Sequence, residues 1–229
     1  LAIVYITSIA TMIVIEQSDR RFVQGLFGRY VSGPVAEQIL KLADGGTLQL
    51  GGEAKEVTVL FADIRGFTKL SEQLSPEAIV NMLNAYLSVM IERVLENGGM
   101  VNKFAGDNIM AVWNAPQAQQ EHAFLAAKAG LEAQQKIAEL QVKEPSLPRA
   151  QFGIGVNTGN AVAGNVGSSG RSEYTDIGDA VNLASRICSA TPGTEVWLGP
   201  ETYRQAKDHI EAIALPPQEF KGKSEPVVV

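Results

Sequence analysis

VTVLFADIRGFT, residues 57–68, changes character at its middle. Val57 to Ala62 is a nearly continuous apolar run, the pattern of a central strand covered on both faces. Asp63 ends the run, and Gly66 follows in a loop that leads towards a helix. Just downstream, Ser75-Pro76 sets an N-cap before a proline at the first helical position. The helix they open extends to about Glu96, with Ile79, Met82, Leu83, Tyr86, Leu87, Met90, Ile91, Val94 and Leu95 as its apolar stripe, and Gly98-Gly99 stops it. Met100–Phe104 and Ile109–Trp113 read as two short strands about the turn Ala105-Gly106-Asp107-Asn108. An Ala- and Gln-rich helix covers residues 118–140. Phe152–Val156 and Ala161–Val166 read as strands on either side of a turn at Asn157–Asn160, Gly178–Ala190 as a helix and Thr194–Leu198 as a strand.

The core order is thus strand, helix, strand, strand, helix, strand. That is the split βαβ arrangement, so the expected fold class is α+β: a ferredoxin-like βαββαβ core with extra C-terminal strands and helices. Its first strand lies beside its third, antiparallel. Asp63 leaves the first strand and Asp107 sits in the turn entering the third, so the topology predicts that the two carboxylates meet at one edge of the sheet.

Composition narrows the function classes. The 229 residues include 19 Lys plus Arg against 25 Asp plus Glu, a formal net charge of −6. No basic stripe stands ready to neutralise a phosphate backbone, which excludes nucleic acid as the expected partner. Apolar residues make up 45% and charged residues 19%, an ordinary globular balance that excludes wholesale disorder. Cys188 is the one cysteine, so no internal disulfide forms and no cysteine-based zinc site exists.

The stretch LAIVYITSIATMIVI, residues 1–15, carries no charge. As helix it would span about 22 Å, short of the ~30 Å hydrocarbon core. Arg20, Arg21 and Arg29 follow it, the pattern of a cytoplasmic flank. Residues 1–17 therefore read as part of a transmembrane helix, in preference to a buried helix or a signal-peptide core. Residues 18–52 read as two short helices broken at Gly33-Pro34, either packed on the domain or serving as a helical connector to the membrane part, and closed by the turn-rich DGGTLQLGG, which puts the start of the globular domain, 53–229, near Glu53. The last residues, PVVV, read as a strand in progress and the C-terminus as truncated. The expected location is the cell membrane, with the globular domain cytoplasmic.

Two carboxylates brought together repel unless a proton or a cation separates them. Taken alone, an aspartate at a strand end is a turn former or helix cap; the pairing is what points to a hard cation such as Mg²⁺, held by one or two carboxylates plus substrate phosphates. The Ile64-Arg65-Gly66-Phe67-Thr68 loop beside Asp63 can turn backbone N–H groups towards an anion.

FADIRGFT (61–68), VNKFAGDNIMAVW (101–113), GVNTGNAVAGNVGS (155–168), YTDIGDAVNLASR (174–186) and FKGKSEP (220–226) resemble, in the same order, the class III nucleotidyl cyclase catalytic domain. The resemblance covers residues 53–229, and the connector is similar to that of membrane-anchored bacterial adenylate cyclases. It implies conversion of ATP to 3′,5′-cyclic AMP and pyrophosphate, with two Mg²⁺ or Mn²⁺ ions per site. Asp63 and Asp107 match the metal-binding aspartates. The amides of Ile64, Gly66, Phe67 and Thr68 match the phosphate cradle, and Lys103 and Thr175 the purine-reading positions. Asn182 would orient the ribose, Arg186 would stabilise charge on the α-phosphate, and Lys221 would contact the departing pyrophosphate.

The side-chain chemistry agrees. Lys103 is a donor suited to an adenine ring nitrogen, and Thr175 can accept from the adenine amino group. Asn182 and Arg186 are spaced i, i+4 and share one helix face, and Arg suits bidentate phosphoryl binding. Tyr174 and Ser185 read as structural, Asp179 as a helix-start cap, and Asp176 is assigned no base contact. Two departures stand out. Thr175 replaces an aspartate usual in animal-type cyclases and marks a bacterial-type subgroup, several members of which respond to bicarbonate. Gly153 stands where some members carry an arginine, leaving Arg65, Arg149 or Arg171 to compensate.

The family's sites form between two domains, and this chain carries both halves. A homodimer with two equivalent sites is implied, which an upstream sensor could open or close by rotating one subunit against the other. The alternatives are a guanylate cyclase, which Lys103 and Thr175 disfavour, and a catalytically silent nucleotide-binding regulatory domain, which usually lacks a metal aspartate or the Asn/Arg pair. A diguanylate cyclase would need a GG[DE]EF signature, which is absent from the sequence.

Overall fold

The computed structural model describes residues 51–168 and 171–229. The readings of residues 1–17 as a membrane helix and of 18–50 as a connector lie outside the described residues. The elements, in chain order, are β1 (Gly51–Ile64), α1 (Phe67–Gln73), α2 (Pro76–Glu96), β2 (Met100–Ala105), β3 (Asn108–Trp113), α3 (His122–Lys143), β4 (Phe152–Ser168), β5 (Arg171–Ile177), α4 (Asp179–Ala190), β6 (Val196–Leu198) and α5 (Pro200–Ala206). The sheet runs β2-β3-β1-β4-β5, with β6 parallel to β4 at one side. Its first four strands have the ferredoxin-like order, and β1 is antiparallel to both β3 and β4.

The apolar run of β1 supplies the centre of the core. Leu60, Ala62 and Ile64 pack with Ile109, Ala111 and Trp113 of β3, with Phe152, Ile154 and Val156 of β4, and with Met82, Tyr86, Met90 and Val94 of α2. The α2 stripe falls on one face because those four residues recur at helical spacing. Ser75 caps α2 by accepting from the Ala78 N–H at 3.2 Å, with Pro76 behind it. By length and composition α2 could also cross a membrane. Its Tyr86 hydroxyl instead donates to Pro148 O at 2.9 Å, and the stripe lies on the sheet.

Several boundaries differ from expectation, among them that of α3, which covers His122–Lys143 rather than 118–140. Gly51 and Gly52 belong to β1, paired with Asn165 and Gly164, rather than to a linker. Asn157–Asn160 is not a turn, because β4 is one 17-residue strand that pairs with β1 continuously from Phe152 to Asn165. The polar residues there are buried but satisfied: Asn157 Nδ2 donates to Ala180 O at 2.9 Å, and Thr158 and Thr58 share a 2.8 Å hydroxyl bond. The glycines of β4 serve packing, since a Cβ on Gly155 would stand 2.2 Å from Cys188 N of α4. The last strand is shorter than expected, starting at Val196 after Thr194 in a left-handed conformation. Finally, Gly178 holds the N-cap position of α4 with no side-chain cap, and Asp179 lies in the first turn. Its carboxylate accepts from Lys223 Nζ, so Asp179 ties down the C-terminal FKGKSEP loop instead of capping the helix.

Candidate active site

β1 ends at Ile64 and β3 begins at Asn108, and their antiparallel pairing brings Asp63 beside Asp107. Asp107 Oδ2 accepts from the Ile64 N–H at 3.3 Å. Burial, followed by a hydrogen bond and charge repulsion from Asp107, pushes the Asp63 carboxyl up to about 6, against the opposing pull of Arg65 and the Ile64 N–H. A like-charged pair in this state takes up either a shared proton or a cation.

The donor set fits a hard divalent ion that is completed by its substrate. Both groups are carboxylates, and among the described residues no cluster of three or more His, Cys, Asp or Glu encloses a metal. The protein thus contributes two charges and leaves other positions to phosphate oxygens and water, the usual Mg²⁺ pattern.

Arg65, one of the three arginines named for Gly153, lies beside that glycine. Its guanidinium donates to Asp63 Oδ2 at 3.2 Å and to Ser189 O of α4 at 3.0 Å. A Cβ on Gly153 would come within 2.9 Å of Arg65 Nε, so the glycine leaves the room that Arg65 occupies. Arg149 is exposed. Cys188 is buried beneath this group with its thiol donating to Gly153 O at 3.3 Å, and burial pushes that thiol up to about 12, which removes it from nucleophilic chemistry.

Gly66 adopts a left-handed φ of 71° and opens α1 without a side-chain cap. Phe67 and Thr68 then form the first helical turn, where backbone N–H groups have no intrahelical acceptor. Ile64 differs from the expected cradle in that its N–H is already given to Asp107.

The purine-facing candidates lie elsewhere on the sheet. Lys103 on β2 ion-pairs with Glu173 on β5 at 2.9 Å, and both side chains are well exposed. Thr175 on β5 is buried. Beside them Asn102 Nδ2 donates to Asp176 Oδ2 at 3.1 Å. Burial pushes the Asp176 carboxyl up to about 6, against Lys103, Asn102 and Lys55. Sequence reading set Asp176 aside and missed Asn102 and Glu173, because β2 and β5 are far apart in both sequence and sheet order.

On α4, Asn182 is exposed and Arg186 is half-buried. A Cβ on Gly222 would lie 3.2 Å from Arg186 Nη2, which places the loop carrying Lys221 against the Arg186 guanidinium. Lys221 itself is exposed. A separate apolar cavity of about 740 Å³, lined among others by Leu131, Val196, Leu198, Tyr203 and Ile213, holds none of these residues.

The model of the adenylate and guanylate cyclase catalytic domain matches residues 52–228. The chain belongs to that family. This cyclase domain is 36% identical over 181 residues to "Adenylate cyclase 1" of Rhizobium meliloti, covering 76% of the chain and 27% of that protein. The chain spans between a quarter and a third of the length of the curated relatives it matches. Among solved structures, the guanylyl cyclase Cya2 superposes with a TM-score of 0.74 at 38% identity, over 78% of this chain and 92% of that one. The adenylyl cyclase CyaB from P. aeruginosa gives 0.74 at 37%, over 78% and 94%. Both purine specificities occur at equal likeness, so the choice of base rests on this cyclase domain's own residues.

Proposed function

We propose that the chain is the catalytic part of an adenylate cyclase that converts ATP to 3′,5′-cyclic AMP and pyrophosphate. The observation that carries the reading is the meeting of Asp63 with Asp107 beside an open loop and first helical turn. Asp63 and Asp107 would hold two Mg²⁺ or Mn²⁺ ions, which supply Lewis-acid stabilisation of the attacking ribose 3′-oxygen and of the triphosphate charge. The N–H groups of Gly66, Phe67 and Thr68, with that of Ile64 once released from Asp107, receive phosphate oxygens. Asn182 orients the ribose, Arg186 meets the charge that develops on the α-phosphate, and Lys221 takes the departing pyrophosphate.

Adenine is favoured because Lys103 presents a donor and Thr175 a hydroxyl acceptor. The Lys103–Glu173 pair does not block this, since an exposed ion pair is worth about 0–1 kcal/mol and yields readily to a ligand. Guanylate cyclase is the second reading, supported by the likeness to Cya2. A homodimer completes each site from two copies, one giving Asp63 and Asp107 and the other giving Lys103, Thr175, Asn182 and Arg186. Residues 1–17 would anchor the domain to a membrane, and 18–52 would transmit the state of an upstream sensor.

Cyclic nucleotide production by the purified chain with Mn²⁺, offered ATP and GTP separately, tests the reading. Cyclic AMP from ATP, falling more than about a hundredfold in Asp63→Ala, is the expected result. Cyclic GMP as the main product would replace adenylate with guanylate. Absence of both products from a well-formed dimer would reduce the domain to a nucleotide-binding regulator.

A further inference from the structure

β2 and β5 lie at opposite ends of the sheet order, so no backbone ladder sets the distance between Lys103 and Thr175. Two side-chain links do. One, Lys103 to Glu173, is exposed and uses a base-facing residue itself. The other, Asn102 to Asp176, uses the neighbours of both base-facing residues and is inside, with Asp176 only 3% exposed. A register shift between Val101 and Lys103 leaves Asn102 out of the β2–β3 ladder. Such a bulge re-aims a side chain, and here the amide reaches β5.

The link is not explained by stability. Among the described residues, Asn102 Oδ1 and Asp176 Oδ1 are both buried without a partner. A half-satisfied buried polar pair is worse for stability than an apolar pair of the same shape. Local rules broken in this way, next to a binding site, suggest a role in the site.

We infer that the Asn102–Asp176 hydrogen bond is a latch between the two edge strands that fixes the spacing of Lys103 and Thr175 and so sets discrimination between ATP and GTP. The inference rests on the assignment of Lys103 and Thr175 to the purine. Asn102 and Asp176 are positioning residues: they hold the strands and leave the base to their neighbours. Burial raises the Asp176 carboxyl against the pull of Lys103 and Asn102 on β2 and Lys55 on β1, so the Asn102 bond is one of the few contacts that compensate this buried group.

The test is the ratio of ATP to GTP affinity for the whole chain in Mn²⁺, read by displacement of a fluorescent ATP analogue, alongside KM, kcat and thermal melting. Asn102→Ala and Asp176→Ala should each lower the ratio about tenfold and raise KM for ATP more than they lower kcat. The exchange variant, Asn102→Asp with Asp176→Asn, restores a donor opposite a carboxylate and should recover the ratio to within about threefold. If the alanine variants fail to fold, Asn102→Leu with Asp176→Leu keeps the packing without the bond and should show the same loss. An unchanged ratio in variants that lack the bond, or an exchange variant that recovers melting temperature but not the ratio, overturns the latch. So does a parent chain that binds ATP and GTP equally. A parent chain that prefers ATP in binding but turns over neither nucleotide overturns the cyclase reading instead, and the binding ratio still decides the latch.

Discussion

Asp63, Arg65 and His122 show how burial decides what a titratable residue does. Asp63 is held between a second carboxylate that raises its proton affinity and a guanidinium that lowers it, a balance suited to exchanging a proton for a metal ion. His122 lies 3.7 Å from Glu56, but burial outweighs that carboxylate. Its ring is buried, its Nδ1 shares a 2.7 Å bond with Thr58 Oγ1, and Thr58 continues through Thr158 to Thr202. Burial holds His122 below its ordinary 6.5, with Lys55 adding to the effect and Glu56 opposing it. The unfolded chain therefore binds the extra proton first, and the stability His122 contributes is lost as pH falls below about 6.5. His122→Gln should cost about 1 kcal/mol at pH 7.5 through the lost bond. That cost should shrink towards pH 5, where the parent alone meets the protonation penalty; melting temperatures of parent and variant across that range check it. Asp63, Asp107, Lys103, Thr175, Asn182, Arg186 and Lys221 were nominated as candidates by motif and chemistry in the sequence, and the structure brings the first two together. Asn102 and Asp176 were not, because a buried hydrogen bond between two edge strands leaves no mark in either segment.

At the scale of elements, α4 carries the two residues proposed to meet the ribose and the α-phosphate, Asn182 and Arg186, and rests directly on β4. The glycine at 155 is what allows that contact. Gly155→Ala would drive a methyl group into the α4 backbone and should cost about 1–3 kcal/mol. Turnover should fall further than stability alone explains, as α4 shifts relative to β1; melting temperature and kcat measured together separate the two. The same strand shows why part of the sequence reading failed. Asn, Thr and Gly at 157–160 are turn formers by local chemistry, but full pairing with β1 and hydrogen bonds from Asn157 to α4 and from Thr158 to β1 and α5 override that preference. The α2 boundaries were legible to the residue because Ser75, Pro76 and Gly98 act through local backbone geometry.

For the molecule as a whole, the proposed dimer makes a quantitative prediction. If each site draws its metal aspartates from one copy and its helix residues from the other, Asp107→Ala and Asn182→Ala are each inactive alone. In a mixed dimer one site collects both lesions and the other collects none. With random pairing at equal amounts, about a quarter of the parent activity should return, following the two-fold relation between the sites. Cyclic AMP production after co-refolding the two variants measures this, and no recovery would place each whole site within one copy. Activity per chain should also fall on dilution as dimers dissociate.

By itself, the sequence determined the order of the core elements β1, α2, β2, β3, α3 and β4, the α+β class and the pairing of Asp63 with Asp107. Each follows from local hydrophobic period, from caps and turns, or from a topology with few alternatives. Only the tertiary structure decided that Arg65 fills the space over Gly153, that Asp179 serves the C-terminal loop, and that the two edges of the sheet are linked through Asn102 and Asp176. These are contacts between segments far apart in the chain, set by packing and by the solvent exclusion that packing creates, and no local pattern encodes them.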